Sequence, residues 1–297
     1  MNKSSPSDEI ALFVRVVERG SFAAVAQETG LTPSGVSRGV SRLEDRLGVR
    51  LLQRTTRRLA VTPEGETLLA RGREILSAIE AMEAEITATR GKPRGLVRLN
   101  VGTAYAKHCL MPSLAGFHAR YPDIEIELSI DDRHVDIIAQ QIDVAVRTGA
   151  LGDSTLITRK LGEADRIICA SRAYLRRHGK PKSPKDLARH SCLRMTAAGR
   201  LAEWWMRADD GLAPFRVKGW ITCDSVDIMF DMVRQGLGIA RLPSFLVRDA
   251  LKSGALVALM SDHHVAAPFP ITALMPPGRQ HLPRVRALVD HLADHFA

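Results

Sequence analysis

The sequence predicts a composite α/β protein: an all-α N-terminal domain with a short basic hairpin, one long helix, and a larger α/β domain. Three observations carry that expectation. Residues 21–63 read as two short helices separated by a glycine turn and followed by arginine-rich apolar runs. Residues 64–90 keep a helical pattern with a narrow apolar stripe. Beyond the linker GKPRG at 91–95, short apolar strands alternate with helices, as in a parallel α/β sheet.

Residues 1–7 read as a tail, and Asp8 to Arg19 as a helix with Ile10, Phe13, Val14 and Val17 on one face. Ser21 is placed to cap a second helix carrying Phe22, Val25 and Ala26, which Gly30 stops because glycine tolerates the left-handed conformation of a helix end. Thr32 caps a third helix with Pro33 at its first position. Val36, Val40, Leu43 and Leu47 give that helix an apolar stripe. Ser34, Ser37, Arg38, Ser41 and Arg42 fall largely opposite, a short cationic face suited to a DNA major groove. Gly35 and Gly39 lie inside this helix at a cost of about 1 kcal/mol each relative to Ala. They admit DNA, or the first helix, to close approach, or they are tolerated without purpose.

After Gly48, Arg50, Arg54, Arg57 and Arg58 punctuate two apolar runs, as in a β-hairpin wing with basic edges. Residues 32–62 contain seven arginines against Glu44 and Asp45, a local balance of +5. Beside a helix-turn-helix, such a patch is a phosphate-binding footprint, and double-stranded DNA is the expected partner. A two-helix corner with a solvated arginine face is the bland alternative; the turn, both caps, the stripe and the wing together favour DNA.

Thr62, Pro63 and Glu64 start the long helix, in which Leu68, Ile75, Ile79, Met82 and Ile86 form one stripe and most glutamates keep to other faces. So narrow a stripe outside a domain core calls for a partner helix, and a dimer doubles the DNA contacts of a single helix-turn-helix. Packing on its own domain is the alternative.

In the α/β region, 96–102, 124–130 and 143–147 read as strands, with helices over Ala104–Arg120 and Val135–Gln141. A second unit follows, with a strand at 165–170, a strand pair holding Trp204, Trp205 and Trp220 around a turn near Asp209, and a helix from Val226 to Gln235. Pro268–Met275 should return to the first unit and Pro283–Phe296 should close it.

The motifs SFAAVAQETG, LTPSGVSRGVSRLEDRLGVRLLQRTTR and LAVTPEG, with PRGLVRLNVG, MPSLAGFHARYPDIEIEL, QIDVAVRTG and VRQGLGIARLPSFLV, resemble the LysR-type transcriptional regulators over nearly the whole chain. The resemblance implies a winged helix-turn-helix domain at 1–62, a dimerising linker helix at 63–90 and an effector-binding domain at 91–297. That last domain would be two-lobed, like periplasmic binding proteins, with lobe I at about 91–161 and 268–297 and lobe II at about 162–267. It also implies self-association to a dimer or tetramer and sequence-specific operator binding governed by a small effector, with RNA polymerase a candidate further partner.

Ligands of open α/β sheets sit at strand C-termini and helix N-termini, which favour anions. Thr103, Arg147 and Ser225 meet that description, and Asp132 and Asp224 lie nearby; a carboxylate is the expected effector class. For Thr103 and Ser225 plain helix capping is the alternative; for the two aspartates it is pairing with Arg133 and Arg147. On the DNA side the candidates are Thr32, Pro33, Ser34, Ser37, Arg38, Ser41 and Arg42 for the groove, and Arg54, Arg57 and Arg58 for phosphates or minor groove.

Composition bounds the remainder. The 297 residues, 45% hydrophobic and 25% charged, fit two or three soluble units. The net charge is +9, but residues 1–90 hold 13 cations and 12 acids, so the local patch rather than the global charge argues for DNA. No apolar run approaches the roughly 20 residues of a membrane span, and MNKSSPSDEI has no apolar signal core, so a cytoplasmic location is expected. Cys109, Cys169, Cys192 and Cys223 show no CxxC spacing and read as buried thiols, with a redox pair the lesser alternative. His263–His264 and the His291/His295 pair read as surface histidines rather than metal ligands. No catalytic signature, cofactor motif or metal set occurs, which disfavours an enzyme. The competing non-enzymatic reading is a solute-binding module whose N-terminal segment serves oligomerisation only.

Overall fold

A computed structural model describes residues 5–296 apart from 55–58, 88–91, 133–134, 153, 197–202, 209–210 and 266–267; Arg54, residues 80, 81 and 84–87 and Ala208 are described by backbone alone. Helix α1 (Pro6–Arg19) begins at Ser5, whose hydroxyl accepts from the Asp8 N–H while the Asp8 carboxylate accepts from the Ser5 N–H. This reciprocal cap draws residues 5–7 into the helix where a tail was expected. Helix α2 (Phe22–Thr29) is capped by Ser21 and α3 (Pro33–Leu47) by Thr32, with left-handed Gly30 and Gly48 ending them, as the sequence indicates.

The three helices enclose Phe13, Val16, Val25, Val36, Val40 and Leu43, all fully buried. Leu47 departs from the expected stripe: it is exposed, and buried Glu44 takes the place at the end of α3. The Glu44 carboxylate turns inward because it has donors to meet. Oε1 accepts the N–H groups of Leu51 (2.8 Å) and Leu52 (3.2 Å), and Oε2 accepts from Arg50 at 3.0 Å. Those backbone groups lead into the wing, β1 (Leu52–Arg54) paired antiparallel with β2 (Leu59–Val61). Gly39 lies against α1, where an added Cβ would meet Leu12 at 2.6 Å, so it serves close helix packing. Gly35 faces its own cap, Thr32.

Helix α4 (Pro63–Thr87) starts at Thr62, whose hydroxyl accepts from the Gly65 N–H and donates to the Arg50 carbonyl. Its first half packs on its own domain, with Leu69 buried in the helix-turn-helix core and Leu68 and Leu76 against it. Gly72 lets α4 approach Ile10 and Val14, and Arg73 pairs with Glu18 of α1 at 3.1 Å. Ile75 and Met82 of the stripe remain exposed; Ile86 lies outside the described side chains. Both readings of the stripe therefore apply, each to part of the helix.

The chain packs as two units, residues 1–92 with 277–283 and residues 93–276 with 284–297. In the second, β3 (Gly95–Val101) leads into a continuous helical stretch. That stretch comprises α5 (Thr103–Tyr105), a π-helical turn at Ala106–Leu110 and α6 (Met111–Arg120). There follow β4 (Ile124–Ile130), β5 (Val144–Thr148), β6 (Ile157–Ala164), β7 (Arg166–Ser171) and α7 (Arg172–His178). The next elements are β8 (Arg194–Met195), β9 (Trp204–Ala208), β10 (Gly211–Phe215), β11 (Thr222–Cys223) and α8 (Val226–Arg234). The chain closes with β12 (Ala240–Pro243), α9 (Ser244–Lys252), β13 (Leu256–Leu259), β14 (Phe269–Met275) and α10 (Pro283–Phe296).

Lobe I carries the sheet β4-β3-β5-β14-β6, and lobe II the sheet β12-β7-β13. The expected all-parallel sheet is corrected: β3 is parallel to β4 and β5, but β14 returns antiparallel between β5 and β6, and β7 pairs antiparallel with both neighbours. A strand that re-enters a sheet from another lobe is free of the right-handed crossover that enforces parallel order. The first sheet extends to Ala164, slightly past the lobe change expected near 161, and Asp165 at the crossing is held to Ser244 by two hydrogen bonds.

Four further expectations change. Residues 135–141 form turns, with Asp136 capping Ile138 and Ala139 in place of a helix. Trp220 belongs to no strand and is exposed, whereas Trp204 is buried in β9; Asp209 at the expected turn lies outside the described residues. His264 is no surface residue: its Nε2 accepts from Arg241 Nε at 2.8 Å. His291 contacts the Ser113 carbonyl at 3.0 Å and packs on Phe117. Cys109, Cys169 and Cys192 are buried and Cys223 half-buried, and burial raises the first three thiols to about 12.

Two measurements test this packing. Glu44→Ala leaves two buried N–H groups without acceptors and should destabilise the helix-turn-helix by about 2–4 kcal/mol, lowering its thermal midpoint; an unchanged midpoint would remove Glu44 from its structural role. Burial and the Arg241 charge lower His264 from its ordinary 6.5 to about 4. The folded protein therefore holds this ring neutral where the unfolded chain would protonate it. Thermal stability should fall as pH drops from about 6.5 towards 4. The His264→Gln variant should show a flatter slope across that interval, and an identical slope would refute the assignment.

Candidate DNA interface and effector cleft

The outward face of α3 carries the predicted DNA contacts. Thr32, Pro33, Ser34, Arg38 and Arg42 are exposed and Ser37 and Ser41 half-buried, while Val36, Val40 and Leu43 point into the core. Thr32 accepts the Gly35 N–H at 3.1 Å and bonds Ser34 Oγ at the same distance, and Arg38 Nε reaches the Ser34 carbonyl at 3.3 Å. This face offers hydroxyls and one guanidinium at the N-terminal half of a helix, the end that meets base edges in helix-turn-helix docking.

Arg42 is more constrained than its sequence position suggested. Its Nε donates to Glu9 Oε1 at 3.1 Å, and Arg46 reaches Glu9 Oε2 at 3.4 Å. Glu9 is buried on the inner face of α1, a turn before Phe13, so its carboxylate must be paired. Half of the Arg42 side chain stays exposed and its other donors remain available for DNA. The sequence reading passed over Glu9 and Arg46, although an acid in register with Phe13 and Val16 is a readable sign of a buried ion pair. Arg57, Arg58 and the Arg54 side chain lie outside the described residues.

In lobe I, the ends of β3 and β5 bring Thr103, Asp132 and Arg147 together. Gly102, not Thr103, is the N-cap of α5, and the Thr103 N–H donates to Asp132 Oδ1 at 2.8 Å. A Cβ at 102 would stand 2.8 Å from that same oxygen, so glycine admits the carboxylate. Arg147 donates to the Val146 carbonyl and to Asn100 Oδ1; buried Asn100 in turn donates to Ser129 Oγ at 2.8 Å. Burial pulls the Arg147 guanidinium below its ordinary value, and the charges of Asp131 and Asp132 oppose that pull. The group stays cationic at neutral pH.

In lobe II, Ser225 caps α8 through the Ile228 N–H at 3.4 Å, and Asp224 is exposed just before it. Two residues on, buried Asp227 accepts from Lys107 Nζ at 2.9 Å and lies 3.5 Å from His108 Nε2, so an ion pair joins the lobe I helix to α8. Ala104, beside Thr103, packs into the lobe II core with Met229 and Phe230. Sequence reasoning missed Asn100, Lys107 and Asp227. The first sits mid-strand among apolar residues, and the other two are a long way apart in the chain. Among the described residues no cluster of three or more metal-ligating side chains occurs, and no helix is long and apolar enough to cross a membrane.

Known proteins share this arrangement. Residues 7–66 match the family model of the bacterial regulatory helix-turn-helix protein, lysR family, and residues 90–297 match the LysR substrate binding domain. The chain is 35% identical to the probable HTH-type transcriptional regulator LtrA of Klebsiella pneumoniae, over 96% of this chain and 93% of that one. It is also 35% identical to the HTH-type transcriptional regulator CrgA of Neisseria meningitidis serogroup C, over 98% and 97%. The solved structure of Neisseria meningitidis CrgA superposes with a TM-score of 0.67 at 34% identity, covering 98% of each chain. Full-length AphB of Vibrio cholerae gives 0.60 at 30%, covering 98% of this chain and 99% of that one. The chain belongs to the LysR family of transcriptional regulators, with a helix-turn-helix DNA-binding domain and a C-terminal substrate-binding domain.

Proposed function

We propose that this regulator reads operator DNA in the cytoplasm through Ser34, Ser37, Arg38 and Arg42 in the major groove, with Thr32, Pro33 and Ser41 beside them. Arg54, Arg57 and Arg58 grip phosphates or the minor groove from the wing. The observation that carries this reading is the division of α3 into a fully buried apolar stripe and an exposed hydroxyl and arginine face. Two copies pair through the helix at 63–90, for which exposed Ile75 and Met82 give support, and tetramers build on that dimer. RNA polymerase is the partner in activation. The working division of the chain is 1–62, 63–90 and 91–297.

The effector lies between the lobes, near Thr103, Asp132 and Arg147 on one side and Asp224 and Ser225 on the other. An anion suits Arg147, the cation that Asn100 orients. The helix N-terminus at Thr103 already holds the Asp132 carboxylate, so an effector carboxylate at that point displaces a side chain from an equivalent bond. Such an exchange couples occupancy of the cleft to movement of the segment carrying Asp132. The relatives are named as transcriptional regulators, and the chain's role is correspondingly regulatory rather than catalytic.

Gel shifts with the protein's own upstream DNA test the docking. Arg38→Ala should cost about 1–3 kcal/mol on that DNA and little on shuffled DNA, whereas Arg57→Ala should weaken both equally. If neither substitution changed affinity, α3 and the wing would not be the contact surface.

A further inference from the structure

A cavity of about 220 Å³ opens between the lobe I helical stretch, the end of α10 and α9 of lobe II, away from Arg147 and its neighbours. Tyr105, Phe245 and Phe296 form three of its walls: Tyr105 stacks on Phe296 with ring centroids 6.3 Å apart, and Phe245 meets Phe296 edge to face at 6.2 Å. Arg248 and His295 supply polar groups to the same space, and Cys109 lines it with a thiol that burial keeps neutral. Among the described residues Arg248 has no carboxylate within ion-pair distance, although Asp249 follows it on the same helix and also lines the cavity.

We propose that this cavity is a second small-molecule site, separate from the effector cleft, for a single-ring aromatic carboxylate. Size sets the first limit. A cavity of about 150 Å³ can admit benzene, whereas drug-sized ligands take roughly 300–1,000 Å³, so the space suits one ring and a small substituent. Chemistry sets the second. Three aromatic side chains offer faces and edges to a flat ring. Arg248 offers a planar pair of donors that fits a carboxylate, and its charge has no acidic partner among the described residues. The site is built from both lobes, with Tyr105, Cys109, His295 and Phe296 on lobe I and Phe245 and Arg248 on lobe II. Occupancy would therefore bear on the same relative lobe position that an effector in the cleft controls. The inference stands on this cavity alone and does not depend on the carboxylate reading of the cleft.

Calorimetric titration of the full-length protein with benzoate, and with neutral benzamide as comparison, tests the proposal. Benzoate should bind at millimolar concentration or better and benzamide at least about tenfold more weakly, the loss expected on removing a charge-assisted pair. Arg248→Gln should weaken benzoate about tenfold and leave benzamide unchanged. Phe245→Leu, which keeps an apolar side chain, should weaken both. Arg147→Ala in the effector cleft should leave benzoate binding intact. Absence of benzoate binding in a wild-type protein that melts cooperatively would overturn the proposal, as would binding insensitive to Arg248→Gln. Binding abolished by Arg147→Ala would assign the ligand to the cleft and equally overturn the second site.

Discussion

One buried carboxylate holds the DNA-binding end of this molecule together. Glu44 sits at the last turn of α3 and accepts the N–H groups of Leu51 and Leu52, so the helix that faces DNA and the wing beside it leave the core at one fixed angle. The knot continues into the long helix. The Leu51 carbonyl accepts from the Thr62 N–H, and the Thr62 hydroxyl joins the Arg50 carbonyl to the start of α4 at Gly65. Gly65 has no side chain because a Cβ there would run into the Leu51 carbonyl. Replacing any one of these groups with an apolar residue strands buried donors or acceptors, and each costs more to leave unmet than its bond contributes when made. Recognition helix, wing and linker helix therefore behave as one rigid part, which is what a reader of fixed half-site spacing requires.

The effector domain follows a different logic. Its two sheets are joined by crossings at Asp165 and at the segment before β14, and its polar groups gather where the lobes meet. Asn100 orients Arg147 on one side, while Lys107 and His108 reach across to Asp227 on the other. The lobes are thus connected by bonds between charged groups and by a small apolar contact at Ala104. Such contacts can be exchanged for ligand contacts at modest cost, because charged side chains near a cleft find water or a ligand when they part. Rigidity in one domain and exchangeable bonds in the other are the two properties a ligand-controlled regulator needs.

Much of this was legible in the sequence, for reasons that can be named. Caps at Ser21 and Thr32 and stops at Gly30 and Gly48 are local signals, and local signals survive into the fold. The outward face of α3 followed from a single helical period. What escaped depended on distant partners. Glu44 and Glu9 look like ordinary helix-surface acids until the wing and α1 are folded against them. Asn100 reads as a strand residue until Arg147 arrives beside it. The parallel-sheet expectation failed because strand order in a two-lobed chain is set by where the chain re-enters a sheet, and β14 re-enters antiparallel. The 135–141 helix failed because Asp136 bonds the N–H groups just beyond it, giving the backbone a turn in place of helical partners.

The central claim is that this chain reads sequence rather than merely charge. Binding of the purified full-length protein to its own upstream intergenic DNA, against shuffled DNA of equal length across a salt series, addresses it directly. The account predicts an affinity at physiological salt about a thousandfold higher for the upstream DNA, with both affinities falling as salt rises. Equal affinity for the two, collapsing together with salt, would mean backbone contact alone and would contradict operator recognition by α3.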